Sequence, residues 1–238
     1  MIESIKVTKA FGLRPVLRGV DLTVAAGEFV ALFGPNGAGK TTFLRILSTL
    51  TRPTTGMVRI AGWELPKYAD QARGLLGVVS HQPLLYGDLS AEENLRFYAR
   101  MYALDKTGRE ERIAAVLDQV GLKKRAADLV RTFSRGMQQR LAIARAVLHD
   151  PPVLLFDEPY TGLDQDAAAS LDGVLKSVAA RGRTVIMTTH DLMRGVQMAD
   201  RVVILSKGVI AFEEKGSALD PVKFATIYAE ITGMAGLR

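Results

Sequence analysis

One segment restricts the fold of this chain more than any other: Gly34-Pro-Asn-Gly-Ala-Gly-Lys40-Thr41, which fits G-x-x-x-x-G-K-[ST]. It stands directly after the apolar run Glu28 to Phe33. Directly after it comes Thr42 to Leu50, where Phe43, Leu44, Ile46, Leu47 and Leu50 read as a helix. A buried strand, a glycine-rich turn and a helix in that order make an anion cradle. Glycine takes backbone angles closed to other residues, so successive N–H groups turn inward, and the helix start adds its positive dipole end. Gly34, Pro35, Asn36, Gly37, Ala38, Gly39, Lys40, Thr41 and Thr42 are therefore the expected contacts to a nucleotide's phosphates. Lys40 would bring a full charge to the β and γ phosphates, and the Thr41 hydroxyl would ligate Mg²⁺.

A second constellation lies 117 positions after Lys40, where Val153-Leu-Leu-Phe-Asp157-Glu158 ends another apolar run in two adjacent carboxylates. Ligands of open α/β sheets sit beyond the carboxyl ends of the strands, so Asp157 is expected beside the phosphates. One carboxylate would hold Mg²⁺ through water while the next polarises the attacking water.

The rest of the chain fits an α/β fold with a mainly parallel sheet. Residues 4–8 and 20–24 alternate like short antiparallel strands, and apolar runs recur at 75–79, 153–156, 184–188 and 202–205. Ser206-Lys-Gly208 reads as a hairpin turn into an edge strand over 209–212. Residues 88–148 differ, with helical patterns and no convincing strand. Ser90 with Glu93 is a capping-box pattern opening a helix to about Tyr102. Ile113, Val116, Leu117 and Val120 recur at helical spacing before Gly121, and another helix runs from near Gly136 to His149. The expectation is a single domain over 1–238, its core formed by 1–87 and 149–238 and a helical subdomain by 88–148.

Composition narrows the chemistry. The 238 residues include no cysteine, which excludes disulfides, thiolate metal sites and a Cys nucleophile. The formal net charge of +6 leaves nucleic acid, anionic lipid or a phosphate ligand open. No apolar run approaches the ~18 residues that cross a bilayer, and the N-terminus lacks the apolar stretch of a secretory signal.

Together the two motifs and their surroundings resemble the ATP-binding cassette ATPases, over essentially the whole chain. Gln82, in Ser80-His-Gln-Pro83, stands where the family's Q-loop glutamine contacts Mg²⁺ and water. Phe133-Ser134-Arg135-Gly136-Met137 stands where the signature motif stands, with Arg135 in place of the first glycine and Met137 in place of the glutamine. Ser134 and Gly136 remain as the expected grip on a γ phosphate. Tyr160-Thr-Gly-Leu163-Asp164 resembles the D-loop, Thr188-Thr-His190-Asp191 matches the switch histidine, and Phe11 lies where an aromatic residue stacks on adenine.

The resemblance implies ATP and Mg²⁺ as ligands, with Thr41, Gln82 and Asp157 around the metal. It assigns catalytic roles to Glu158, His190 and Gln82. It also implies a homodimer with two ATPs between two copies, since the signature loop binds the nucleotide of the opposite subunit. Separate integral membrane permease subunits would dock near Leu84 to Leu89, placing the chain on the cytoplasmic face of the membrane, with no nucleic acid expected. Residues beyond the fold are expected to form only a short tail, without an added regulatory domain. At finer grain, Ser134 to Arg140 and Asp157 to Asp164 are most similar to the haem-exporter ATPases of cytochrome c maturation. The alternative is the ATPase of a drug or polysaccharide exporter, and a third reading is a soluble ABC ATPase acting on the ribosome or DNA.

Overall fold

The computed structural model describes residues 1–180, 182–216 and 219–233. Four strands, β1 (Ile2–Phe11), β2 (Arg14–Val24), β4 (Thr55–Ile60) and β5 (Trp63–Leu65), form an antiparallel sheet in the order β2-β1-β4-β5. Six others form the central sheet: β3 (Phe29–Phe33), β6 (Leu76–Val79), β7 (Val153–Asp157), β8 (Thr184–Thr188), β9 (Arg201–Ser206) and β10 (Val209–Lys215). Their order is β10-β9-β3-β8-β7-β6, parallel throughout except at the β10 edge. The expected mixed α/β fold, with an antiparallel N-terminal sheet and a mainly parallel central one, is the fold observed.

Why the central strands read as unbroken apolar runs is plain from their two faces. Val30, Leu32, Leu155, Ile186 and Val203 point to a core shared with the antiparallel sheet and with helix α1 (Lys40–Leu47). Ala31, Phe33, Phe156, Met187 and Ile204 point to the opposite core, shared with α3 (Ala91–Met101), α4 (Arg109–Gln119), α5 (Arg135–Val147) and α6 (Gln165–Ala179). A strand buried on both sides has no polar alternation to display. Two short helices, α2 (Ala69–Gly74) and α7 (Leu192–Met198), complete the connections.

Local signals set several boundaries. The capping box at Ser90 forms as expected: its hydroxyl accepts from Glu93 N–H, and the Glu93 carboxylate accepts from Ser90 N–H at 2.7 Å. Lys207 and Gly208 both have positive φ, the backbone of the hairpin turn between β9 and β10. Helix α1 occupies Lys40–Leu47 rather than 42–50, because Thr49 turns to φ 65°. Strands β4 and β5 carry no periodicity long enough to be read from sequence.

The expected short tail is a correction. Pro221–Thr232 form helix α8, capped by Asp220 Oδ1, which accepts from Val222 and Lys223 N–H. Its Phe224 is fully buried, with its ring centroid 4.9 Å from that of Phe33 at the end of β3.

Phe156 is fully buried at the centre of the sheet. Phe156→Ala is expected to lower unfolding stability by about 3–5 kcal/mol, read as a reduced denaturant midpoint. An unchanged midpoint would mean that this face of the sheet is not the core.

Candidate active site

The phosphate loop leaves β3 and enters α1 with Gly34, Gly37 and Gly39 all at positive φ. Two of these glycines are required twice over. A Cβ on Gly34 would lie 2.2 Å from the Leu205 carbonyl oxygen, and one on Gly39 would lie 2.6 Å from Leu17 Cδ2. Lys40 is only 8% exposed, and its ammonium donates to the Gly34 carbonyl at 2.6 Å. Arg14, Val16 and residues 35–42 line a cavity of about 290 Å³ with Glu158.

The acidic pair arrives at this cavity from β7. Asp157 Oδ1 accepts from the Thr41 hydroxyl at 3.1 Å and from the Thr188 hydroxyl at 2.8 Å. Thr188 also accepts from Glu158 N–H at 2.9 Å, so one hydroxyl at the end of β8 orients both acids. Glu158 itself sits at φ 52°, a left-handed backbone that costs a non-glycine residue about 1–3 kcal/mol. Its two carboxylate oxygens divide their contacts: Oε1 lies 3.5 Å from Lys40 Nζ, and Oε2 lies 2.8 Å from His190 Nδ1. The His190 ring is mostly exposed. From α8, the Tyr228 phenol is raised above its ordinary value, first by burial and then by the Glu158 charge.

Gln82 is exposed and shares a second cavity, of about 350 Å³, with Thr41 and Asp157. The segment that carries it is held from the helical side. Buried Arg145 of α5 donates to the carbonyls of Val78 at 2.9 Å and Pro83 at 3.0 Å. Asn94 of α3, fully buried, accepts from Tyr86 N–H at 2.8 Å and donates to the carbonyls of Tyr86 and Ser90.

Ser134, Gly136 and Phe11 do not join this cluster within one chain. Ser134 caps α5, its hydroxyl accepting from Met137 N–H at 3.3 Å. Gly136 is buried against α6, where an added Cβ would lie 3.0 Å from that of Ala167. Phe11 is 53% exposed near the β1–β2 turn, with Lys9 Nζ 5.0 Å above its ring. The side chains that line the phosphate cavity from this hairpin are instead Arg14 and Val16. Sequence reading missed these two, and it missed Thr188, whose hydroxyl is indistinguishable there from an ordinary strand threonine.

The donor set suits the implied ligands. Positive-φ glycines lining the cavity beside one ammonium match polyanionic phosphates. The Thr41 hydroxyl, the Asp157 carboxylate and the Gln82 amide are the oxygen ligands that Mg²⁺ prefers. Among the described residues no group of three or more His, Cys, Asp or Glu gathers at a metal site. Mg²⁺ typically binds through one or two carboxylates plus substrate phosphates. Thr188→Val keeps the shape and removes the hydroxyl that orients both acids. The expected loss is about 1–3 kcal/mol of unfolding stability, measured by urea titration, and an unaltered midpoint would make that hydroxyl dispensable.

Comparison with known proteins bears on the same geometry. A sequence profile described as ABC transporter matches residues 17–161. The Nod factor export ATP-binding protein I of Cupriavidus pinatubonensis is 40% identical over 208 residues, which is 87% of this chain and 64% of that protein. The linearmycin resistance ATP-binding protein of Bacillus subtilis is 35% identical over 87% of this chain and 67% of its own length. The chain thus spans about two thirds of the length of these curated relatives. A solved dimeric, post-hydrolysis ATP-binding cassette bound to ADP and Pi superposes with a TM-score of 0.81 at 31% identity, covering 90% of this chain and 98% of that one. Phosphate loop, acidic pair and histidine at the carboxyl ends of one parallel sheet, in a chain with these likenesses, mean that the protein belongs to the ABC transporter family and folds as its ATP-binding cassette.

Proposed function

We propose that the chain is the ATP-hydrolysing motor subunit of an ABC exporter, acting as a homodimer on the cytoplasmic face of a membrane beside separate permease subunits. The observation that carries this reading is the row Lys40–Glu158–His190, in which one carboxylate touches the phosphate-loop ammonium at 3.5 Å and the switch histidine at 2.8 Å. Lys40 and the loop N–H groups would bind the β and γ phosphates of ATP. Glu158 would orient a water for attack on the γ phosphorus and take its proton as the bond to the β-phosphate oxygen breaks. His190, held by Glu158, would face the γ phosphate. Mg²⁺, when bound, supplies neutralisation of the phosphate oxygens, and Thr41, Asp157 and Gln82 would hold it.

Ser134 and Gly136 lie outside the cluster in one chain, which fits their use on the nucleotide of a second copy; the similar dimeric cassette bound to ADP and Pi supports that arrangement. ATP closes such a dimer when its γ phosphate makes contacts that ADP lacks, a ligand-driven population shift. The permease contact is proposed at exposed apolar side chains: Leu84, which shares a cavity with Gln82; Tyr86 and Phe97, whose ring centroids lie 4.9 Å apart; and Met101, one turn further along α3. Among the described residues no helix is long and apolar enough to cross a membrane. The relatives named for Nod factor export and linearmycin resistance support the drug or polysaccharide exporter reading over the haem exporter expected from local motifs.

Glu158→Gln is expected to keep ATP binding, to lower turnover about 10²–10³-fold, and to trap an ATP-bound dimer seen by size-exclusion chromatography. Near-normal turnover in that variant would remove Glu158 from its role. Lys40→Ala should weaken nucleotide binding itself in a fluorescent-nucleotide titration; an unchanged affinity would contradict the phosphate-loop assignment.

A further inference from the structure

His190 owes its position to more than its contact with Glu158. The next residue, Asp191, caps α7: its Oδ1 accepts from Arg194 N–H at 3.0 Å, and its own N–H donates to the Thr189 hydroxyl at 3.0 Å. The Arg194 guanidinium then reaches in two directions. Its Nη1 donates to Asp191 Oδ2 at 2.9 Å, and its Nε donates to Asp172 Oδ2 on α6 at 3.3 Å. The other oxygen of Asp172 accepts from the Tyr160 hydroxyl at 2.7 Å, while Met198 Sδ lies 2.9 Å from that hydroxyl. The guanidinium carbon lies 5.6 Å from the centroid of the Tyr160 ring. Tyr160 is buried and two residues from Glu158, so the contacts close a ring: Glu158, Tyr160, Asp172, Arg194, Asp191, His190 and back to Glu158.

Such a ring has a mechanical consequence. Asp164, at the end of the Tyr160 to Asp164 segment, caps α6 by accepting from Ala167 N–H at 2.8 Å. The same helix carries Asp172 two turns on. Helix α6 thus links the 160–164 segment through Asp172 to Arg194 and so to the turn bearing His190. Burial and the bond to Asp172 push the Tyr160 phenol well above its ordinary value, which keeps its hydroxyl a protonated donor at any working pH.

We infer that Tyr160, Asp172 and Arg194 are positioning residues that hold His190 in register with Glu158 and tie that pair to the 160–164 segment. The inference rests on the ATP-hydrolysis reading above. None of the three residues touches the phosphate cavity, so they act on the rate through His190 and not on nucleotide affinity.

The test is steady-state hydrolysis of MgATP by the full chain, with nucleotide affinity measured in parallel. Arg194→Ala is expected to lower kcat about tenfold with the nucleotide Kd within about twofold, and Arg194→Lys to recover part of the loss. Tyr160→Phe keeps the ring and removes only the hydroxyl, so it remains informative even where Arg194→Ala fails to fold. Its kcat should fall about threefold or more. The decisive arm is a double-mutant cycle: on a His190→Ala background, adding Tyr160→Phe or Arg194→Ala should change the residual rate by less than about twofold. Full additive losses on that background, or a wild-type kcat in Tyr160→Phe, would overturn the inference while hydrolysis by the wild type stands. A wild type that hydrolyses no ATP would instead overturn the functional reading, and the inference with it.

Discussion

Everything at the site depends on the register of three neighbouring parallel strands. Leu32 of β3 pairs with Thr188 of β8, and Thr188 pairs with Asp157 of β7, so the three strands end at one level. From that level emerge the phosphate loop, the acidic pair and the histidine turn. A slip of one residue in any strand would exchange its two faces, moving Phe156 or Met187 into the wrong core. Because both faces are buried, no solvent-facing side tolerates the exchange. The same packing that makes the sheet stable thus places Lys40, Asp157, Glu158 and His190 together.

The charges gathered there are poor instruments of stability. Lys40 and Asp157 are 8% and 7% exposed, and burying ions costs several kcal/mol each unless partners compensate. Asp157 is compensated by two hydroxyls, and Lys40 by a carbonyl and Glu158. Glu158 adds an unfavourable backbone angle to the cost. A carboxylate held at a left-handed backbone angle between an ammonium and an imidazole fits the catalytic role proposed for it, and the two hydrophobic cores supply the free energy that tolerates the cost.

How much of this is legible in the sequence follows from what each residue type announces. The glycine spacing around Lys40 and the paired acids after an apolar run leave few alternatives, because their backbone and charge requirements are local. The capping box at Ser90 is equally local, and it forms. What sequence alone does not deliver depends on contacts distant in the chain. Thr188 is a strand threonine until β7 is laid beside it. Arg14 and Val16 reach the phosphate cavity only because the β1–β2 hairpin folds over it, and that approach places them there instead of the exposed Phe11. Helix α8 reads as a tail because its amphipathic pattern is weak, yet Phe224 docks on Phe33 beneath the phosphate loop. At the level of cargo, short motif likeness points toward haem, whereas similarity over most of the chain favours other exporters. A few loop residues around a common chemistry say little about cargo.

The close approaches at Gly34 and Gly39 also limit what can be transplanted. The first is shut by a carbonyl of β9 and the second by a leucine of β2, strands at opposite ends of the chain. Copying the eight-residue loop onto another strand–helix junction would reproduce its letters without the walls that press it into shape. Engineering a nucleotide pocket on this pattern therefore means importing three strands and their spacing, with the loop as the last and least demanding part.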